Sequence, residues 1–175
     1  MESSGWQLVR ETFISEFSDL TNAGEVTRIL LRLTLAALLG GLLGIEREKK
    51  GKAAGVRTHM LVAMGAALFV LLSQQVGMPS SDLSRVVQGI IAGIGFLGAG
   101  TILKGENEDQ VKGLTTAAGI WLTAAIGVAA GMGRESTAVL STLLALGIFT
   151  LMPHVDRLLE KPEAPGVDAS PPDPR

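Results

Sequence analysis

The sequence predicts an all-α fold: a polytopic membrane bundle of about five transmembrane helices, preceded by an N-terminal interfacial amphipathic helix. Three observations predict it. Apolar residues make up 47% of the 175-residue chain and fall in blocks of membrane-spanning length, not at the period of a soluble helix or strand. Only 18% of residues are charged, against about 25% in an ordinary soluble domain. Glycine is dense inside the apolar blocks, with five between Gly89 and Gly100. Each would cost a soluble helix about 1 kcal/mol relative to alanine, whereas in a bilayer small residues let helix backbones approach closely.

The chain divides into an amphipathic segment (1–24), a transmembrane domain (25–153) and a tail (154–175). In the first, Trp6, Val9, Phe13, Phe17 and Leu20 recur at spacings that share one helix face. A basic n-region followed by an uninterrupted apolar core, the mark of a cleavable signal, is missing. An interfacial helix lying on the membrane fits this pattern; a helix packed on the rest of the protein fits it as well. Five hydrophobic blocks follow: about Val26 to Ile45, Thr58 to Val76, Val86 to Leu103, Leu114 to Ala130 and Ala138 to Met152. The last is short for a span, so four spans plus a re-entrant or interfacial segment is the alternative count. Arg28 and Arg32 near the start of the first block read as residues that snorkel to the headgroups. From Glu160 onward five prolines in sixteen residues predict a disordered tail.

Basic residues set the expected orientation. Arg47, Lys49, Lys50, Lys52 and Arg57 crowd the first loop, Lys104 and Lys112 the third, and Arg157 and Lys161 follow the last span. Fewer lie on the other side. The positive-inside rule then places the N-terminus outside and the C-terminus in the cytoplasm. A net charge of −2 gives no reason to expect nucleic acid, and the absence of cysteine excludes thiol catalysis, disulfides and thiolate metal sites.

In the first block Ala36, Gly40 and Gly44 are each four residues apart and form a small-residue ladder. It runs into Glu46 and Arg47. A carboxylate at the end of a span needs water, a cation or a basic partner. Arg57, followed by Thr58, re-enters the membrane edge just beyond the loop, so a Glu46–Arg57 ion pair at the base of the first hairpin is one expectation. Two separately solvated charges are the other. In the third block, Gln88 precedes the glycines 89, 93, 95, 98 and 100 around Phe96. Close helix–helix packing is the favoured reading, and a locally broken helix lining a polar cavity is the competitor. The fourth block opens on Thr115 and Thr116; Thr116, Thr123 and Gly127 share a face, and Trp121 lies too deep for an interfacial belt, as a packing residue would. The acids of Glu106, Glu108 and Asp109 read as a solvated loop. No P-loop, nucleophile elbow, HExxH or EF-hand pattern occurs, so neither an enzyme nor a cofactor or metal site is expected.

Four strings taken in order, LLGGLLGIERE (Leu38 to Glu48), GVRTHMLVAMGAALF (Gly55 to Phe69), GIGFLGAGTIL (Gly93 to Leu103) and KGLTTAAGIWLTAAIGVAAG (Lys112 to Gly131), resemble the MgtC/SapB family of bacterial inner-membrane proteins. The resemblance runs from about Thr27 to Met152. It implies a bundle of about five helices, a link to growth in low magnesium, and regulation of other membrane complexes, including ATP synthase. The family motif positions it marks are Gly44, Glu46, Arg47, Arg57, Thr58, Gly93, Gly95, Phe96, Gly98, Gly100, Gly113, Leu114, Thr115, Thr116 and Trp121. Members tied to virulence carry a C-terminal cytoplasmic domain where this sequence has its proline-rich tail, so the resemblance points to a short form.

Two functions follow from these readings. The first is an accessory or regulatory membrane protein, embedded in the bilayer, working by helix contact as a homo-oligomer or with another membrane complex. The second is a small oligomeric magnesium transporter or channel subunit, in which Glu46, Gln88, Thr115 and Thr116 would converge on a wet cavity.

Overall fold

The computed structural model describes residues 5–16, 18, 22–104 and 111–159, with side chains for all of these except 103, 104, 111 and 153–159. The proline-rich tail from 160 onward, the acids of 106, 108 and 109, and Phe17 and Leu20 lie outside the described residues. The element order is α1 (Gly5–Glu16), α2 (Ala23–Lys49), α3 (Val56–Gln75), α4 (Ser80–Ala99), β1 (Leu103–Lys104), β2 (Val111–Lys112), α5 (Leu114–Gly131) and α6 (Glu135–Leu159). Five helices, α2 to α6, are long and apolar enough to cross a membrane. Successive spans run antiparallel, so the ends of α2, α4 and α6 meet the starts of α3 and α5 at one end of the bundle, here called the base.

α1 buries none of its residues, and Trp6 is 83% exposed. Of the two expectations for this helix, the exposed apolar stripe is the one suited to a membrane surface.

The bundle is built around α5, which touches all four other spans. Nine of its 18 residues are buried, against Gly98 alone in α4. Lipid tails are as apolar as leucine, so close packing and interhelical polar bonds hold such a bundle together. Glycine supplies the close packing. A Cβ on Gly40 would lie 2.5 Å from the carbonyl oxygen of His59, and one on Gly44 2.5 Å from Cα of Val56. On the other flank of α3, Gly131 brings α5 equally near, 2.6 Å from the Ala67 carbonyl oxygen by the same measure, and Gly127 meets the Ala63 carbonyl. The predicted ladder of Ala36, Gly40 and Gly44 is therefore the α2–α3 seam. The predicted face of Thr116, Thr123 and Gly127 is the buried one, with the Thr123 hydroxyl donating to the Gly119 carbonyl oxygen at 2.8 Å.

At the end opposite the base, Arg32 does more than snorkel. Its Nη1 donates to Gln74 Oε1 and to the Gly131 carbonyl oxygen, each at 2.9 Å, and its Nε lies 3.8 Å from Glu135 Oε1. One guanidinium thus joins the start of α2 to the end of α3, a carbonyl left over at the end of α5, and the start of α6. The turn between the last two helices leaves room for it at Gly133 (φ +76°), where any Cβ would strike the guanidinium.

Three boundaries differ from expectation. The third span begins at Ser80 and stops at Ala99, so Thr101 to Leu103 are not helical; a two-residue antiparallel ribbon, Leu103 opposite Lys112, follows instead. The helix is continuous across Gly89, Gly93 and Gly95 and is not broken. The last span, expected to be short, is the first part of a 25-residue helix, and five spans is the correct count over four plus a re-entrant segment.

Candidate functional site

The base of the bundle holds the buried Arg47 and His59 and the half-buried Glu46. α2 carries Glu46, Arg47 and Lys50 to its last turn and cap, α3 brings His59 from its first turn, and α6 brings Phe149. Arg47 is 3% exposed, an expensive place for a guanidinium. Two groups offset that cost. Its Nε lies 3.3 Å from Glu46 Oε2, and its Cζ lies 4.1 Å from the centroid of the Phe149 ring. Glu46 is shared, because Lys50 Nζ lies 2.6 Å from Oε1, one helical turn on. The same ammonium donates to the backbone carbonyl oxygen of Phe149. That carbonyl is free for it because its helical partner would be the N–H of residue 153, which is proline.

A sequence detail thus explains a tertiary contact, and it can be tested. Lys50→Met is expected to lower stability by about 1.5 kcal/mol, the usual worth of a hydrogen bond to a charged group. In a Pro153→Ala background, where the carbonyl regains an N–H, the same substitution should cost measurably less. Thermal unfolding of the four proteins in detergent micelles gives the comparison, and equal costs in both backgrounds would remove the explanation.

The expected Glu46–Arg57 ion pair does not form. Glu46 turns to the cations of its own helix end, and Arg57 and Thr58 are exposed on the first turn of α3. The hairpin is closed by the neighbouring acid: Glu48 Oε2 accepts the backbone N–H of Val56 at 2.9 Å. This satisfies a donor at the start of α3, where Gly55 has no side chain to do so. His59 is fully buried, and its Nδ1 donates to the Gly55 carbonyl oxygen at 2.9 Å. Its Nε2 is buried without a hydrogen-bond partner, close to Gly119, whose own added Cβ would lie 3.3 Å from the Phe149 ring. Lys50, His59 and Phe149 were not singled out from sequence. Spacing held the signal for two of them: Lys50 is four residues after Glu46, and His59 four after Gly55.

The remaining family positions scatter. Thr116 is buried, while Thr115 is exposed. Gln88 is exposed on α4, eleven residues before Ala99, about 16 Å along the axis from the base. Within the chain, Glu46, Gln88, Thr115 and Thr116 therefore do not converge on one cavity. Among the described residues no group of three or more His, Cys, Asp or Glu is placed to hold a metal ion.

α4 is where the expected glycine packing fails within the chain. Gly89, Gly93 and Gly95 would each meet nothing within 4 Å if given a Cβ; only Gly98, against Ala117, is in contact with a neighbouring helix. Phe96 is 81% exposed. Gly65, Gly89 and Gly93 line an apolar groove of about 690 Å³ between α3 and α4, walled by Phe69, Ile90 and Leu97. Trp121 is half-exposed on the α4–α5 seam. Gly100 caps α4, and Gly113 (φ +96°) opens α5 in a left-handed turn so tight that a Cβ would collide with the Thr101 carbonyl.

Residues 33–158 match the MgtC family. Among relatives, the protein SrpB of Synechococcus elongatus is 45% identical over 134 residues, which cover 70% of this chain and 74% of SrpB. The putative magnesium transporter YhiD of Escherichia coli K12 is 42% identical over 133 residues, 69% of this chain and 60% of YhiD. Protein MgtC of Brucella abortus is 47% identical over 125 residues, 71% of this chain and 51% of that protein. The matched region thus spans about half to three-quarters of these relatives. No solved structure matches the chain. Five apolar spans in one interlocked bundle, four motifs in order and a family match across most of the transmembrane region agree: the chain is a multi-pass inner-membrane protein belonging to the MgtC family.

Proposed function

We propose that this protein is an accessory or regulatory component of the bacterial cytoplasmic membrane, linked to magnesium homeostasis or growth in low magnesium. It acts by helix contact, with itself as a homo-oligomer and with another membrane complex such as ATP synthase. The observation that carries this reading is the open face of α4. α2, α3 and α5 are locked together by close glycine contacts, yet the most glycine-rich span leaves Gly89, Gly93 and Gly95 with open space where a Cβ would stand. A backbone exposed in this way suits a second helix from outside the chain. The basic residues at the base support a cytoplasmic base, with the N-terminus outside. The link to magnesium rests on the family and on the name of the relative YhiD.

Purified protein in liposomes is expected to carry neither magnesium nor proton flux, and its mass in a bilayer mimic is expected to be that of a homo-oligomer. Gly93→Leu should reduce that mass without unfolding the protomer. Magnesium flux abolished by Glu46→Gln would replace this reading with the transport one. A monomer of unchanged mass in the variant would leave α4 to a different protein partner and remove self-association.

A further inference from the structure

A second recess opens at the end opposite the base, between the start of α2 and the start of α6. It measures about 450 Å³, with Thr27, Arg28 and Glu135 around its upper part and Leu31 and Leu35 along its lower part. Arg32 also lines it and is already committed to Gln74, Gly131 and Glu135. Arg28 is different. It is exposed, and among the described residues no carboxylate lies within ion-pair distance of it, Glu25 of the same helix included.

Depth gives the recess its meaning. α2 has 27 residues, about 40 Å of helix, which matches a bilayer with its headgroups. The hydrocarbon core takes up about 30 Å, so its boundary falls about 5 Å from each end of the helix. Arg28 is five residues from Ala23, about 7.5 Å along the axis, so its backbone lies just inside that boundary and its long side chain, directed towards the helix N-terminus, reaches back to the headgroups. Leu31 and Leu35 lie about 12 and 18 Å along, at the depth of acyl chains. The recess is therefore charged at the headgroup boundary and apolar directly beneath, within a single cavity.

We propose that this recess binds one anionic phospholipid, with its phosphodiester on Arg28 and an acyl chain along Leu31 and Leu35. Two arginines against one carboxylate leave a surplus positive charge, matching the single negative charge of a phosphodiester. A headgroup with its own ammonium would bring a second cation towards Arg28. Phosphatidylglycerol has none, and it is the form the site selects.

Native mass spectrometry of the full chain in neutral detergent, titrated with phosphatidylglycerol or phosphatidylethanolamine of the same chains, tests the site. One phosphatidylglycerol per protomer is expected, bound about ten-fold more tightly than phosphatidylethanolamine. Arg28→Gln, at an exposed position outside the Arg32 contacts, should remove most of that preference, and Arg134→Gln at the same end should not. Leu31→Trp, which fills the lower half, should weaken both lipids while leaving the thermal unfolding transition in place. Inorganic phosphate at millimolar concentration should fail to displace the lipid. Equal binding of the two lipids, a preference that survives Arg28→Gln, or competition by inorganic phosphate alone would each overturn the proposal.

Discussion

Alanine at Gly40 or at Gly127 is expected to destabilise the bundle by about 2 kcal/mol, while alanine at Gly89 or Gly93 leaves it unchanged or more stable by up to about 1 kcal/mol. All four substitutions add the same methyl group to an apolar helix. At Gly40 that carbon would sit 2.5 Å from the His59 carbonyl oxygen and 2.9 Å from its carbon; at Gly127 it would meet the Ala63 carbonyl. Both obstacles are backbone, which cannot rotate away as a side chain can, so the helices must separate. Overpacking of this kind costs about 1–3 kcal/mol, and the better helix propensity of alanine returns at most about 1 kcal/mol. At Gly89 and Gly93 nothing stands within 4 Å, so only the propensity gain remains. Thermal unfolding of the four variants in micelles decides the point. A ranking with the α4 variants as the less stable pair would mean that α4, not α3, carries the packing of the protomer.

The second large effect concerns the buried charges at the base. Glu46→Gln is expected to cost about 3 kcal/mol, because it leaves the Arg47 guanidinium with the Phe149 ring and no anion. Removing one member of a buried pair is costly in a way that replacing both is not. Arg47→Met alone should therefore also be destabilising, since Glu46 then keeps only Lys50, whereas Glu46→Gln with Arg47→Met should cost clearly less than the sum. A coupling of about 2 kcal/mol in this double-mutant cycle is the expected result. Additivity to within about 0.5 kcal/mol would show that the two groups, 3.3 Å apart, are independently satisfied.

The contrast between Glu46 and Arg57 shows where sequence reading stops. That a boundary carboxylate must find a cation follows from chemistry alone, and Glu46 does find one. Which cation it finds depends on the rotation of the last turn of α2. That rotation is set by Gly40 and Gly44 pressing on α3, and it turns Glu46 towards Lys50 and Arg47 while Arg57 stays on the exposed side. Phe149 is a similar case. Its ring is one of many apolar groups in the last span, and only the fold places it under a guanidinium and opposite His59's neighbour Gly119.

The third span carries the other lesson. Its glycines were legible as close-approach residues, but composition says nothing about which neighbour approaches. Packing within the chain is done by the sparser glycines of α2 and α5, because those helices flank α3 on both sides, whereas α4 lies at the edge of the bundle.

The sequence by itself determined the class of fold, the order of the apolar blocks, the ladder at Ala36, Gly40 and Gly44, the face of Thr116 and Thr123, and the family. These depend on hydropathy and on residue size at helical spacing, which are local properties of a chain in a bilayer. Only the tertiary structure decided which charges pair, that Arg32 ties four helices together, and that three of the α4 glycines, Gly89, Gly93 and Gly95, are left without a packed neighbour. Those outcomes depend on how each helix is rotated about its axis. In a solvent as uniformly apolar as lipid, that rotation is set by contact with the neighbouring helices and not by hydrophobicity.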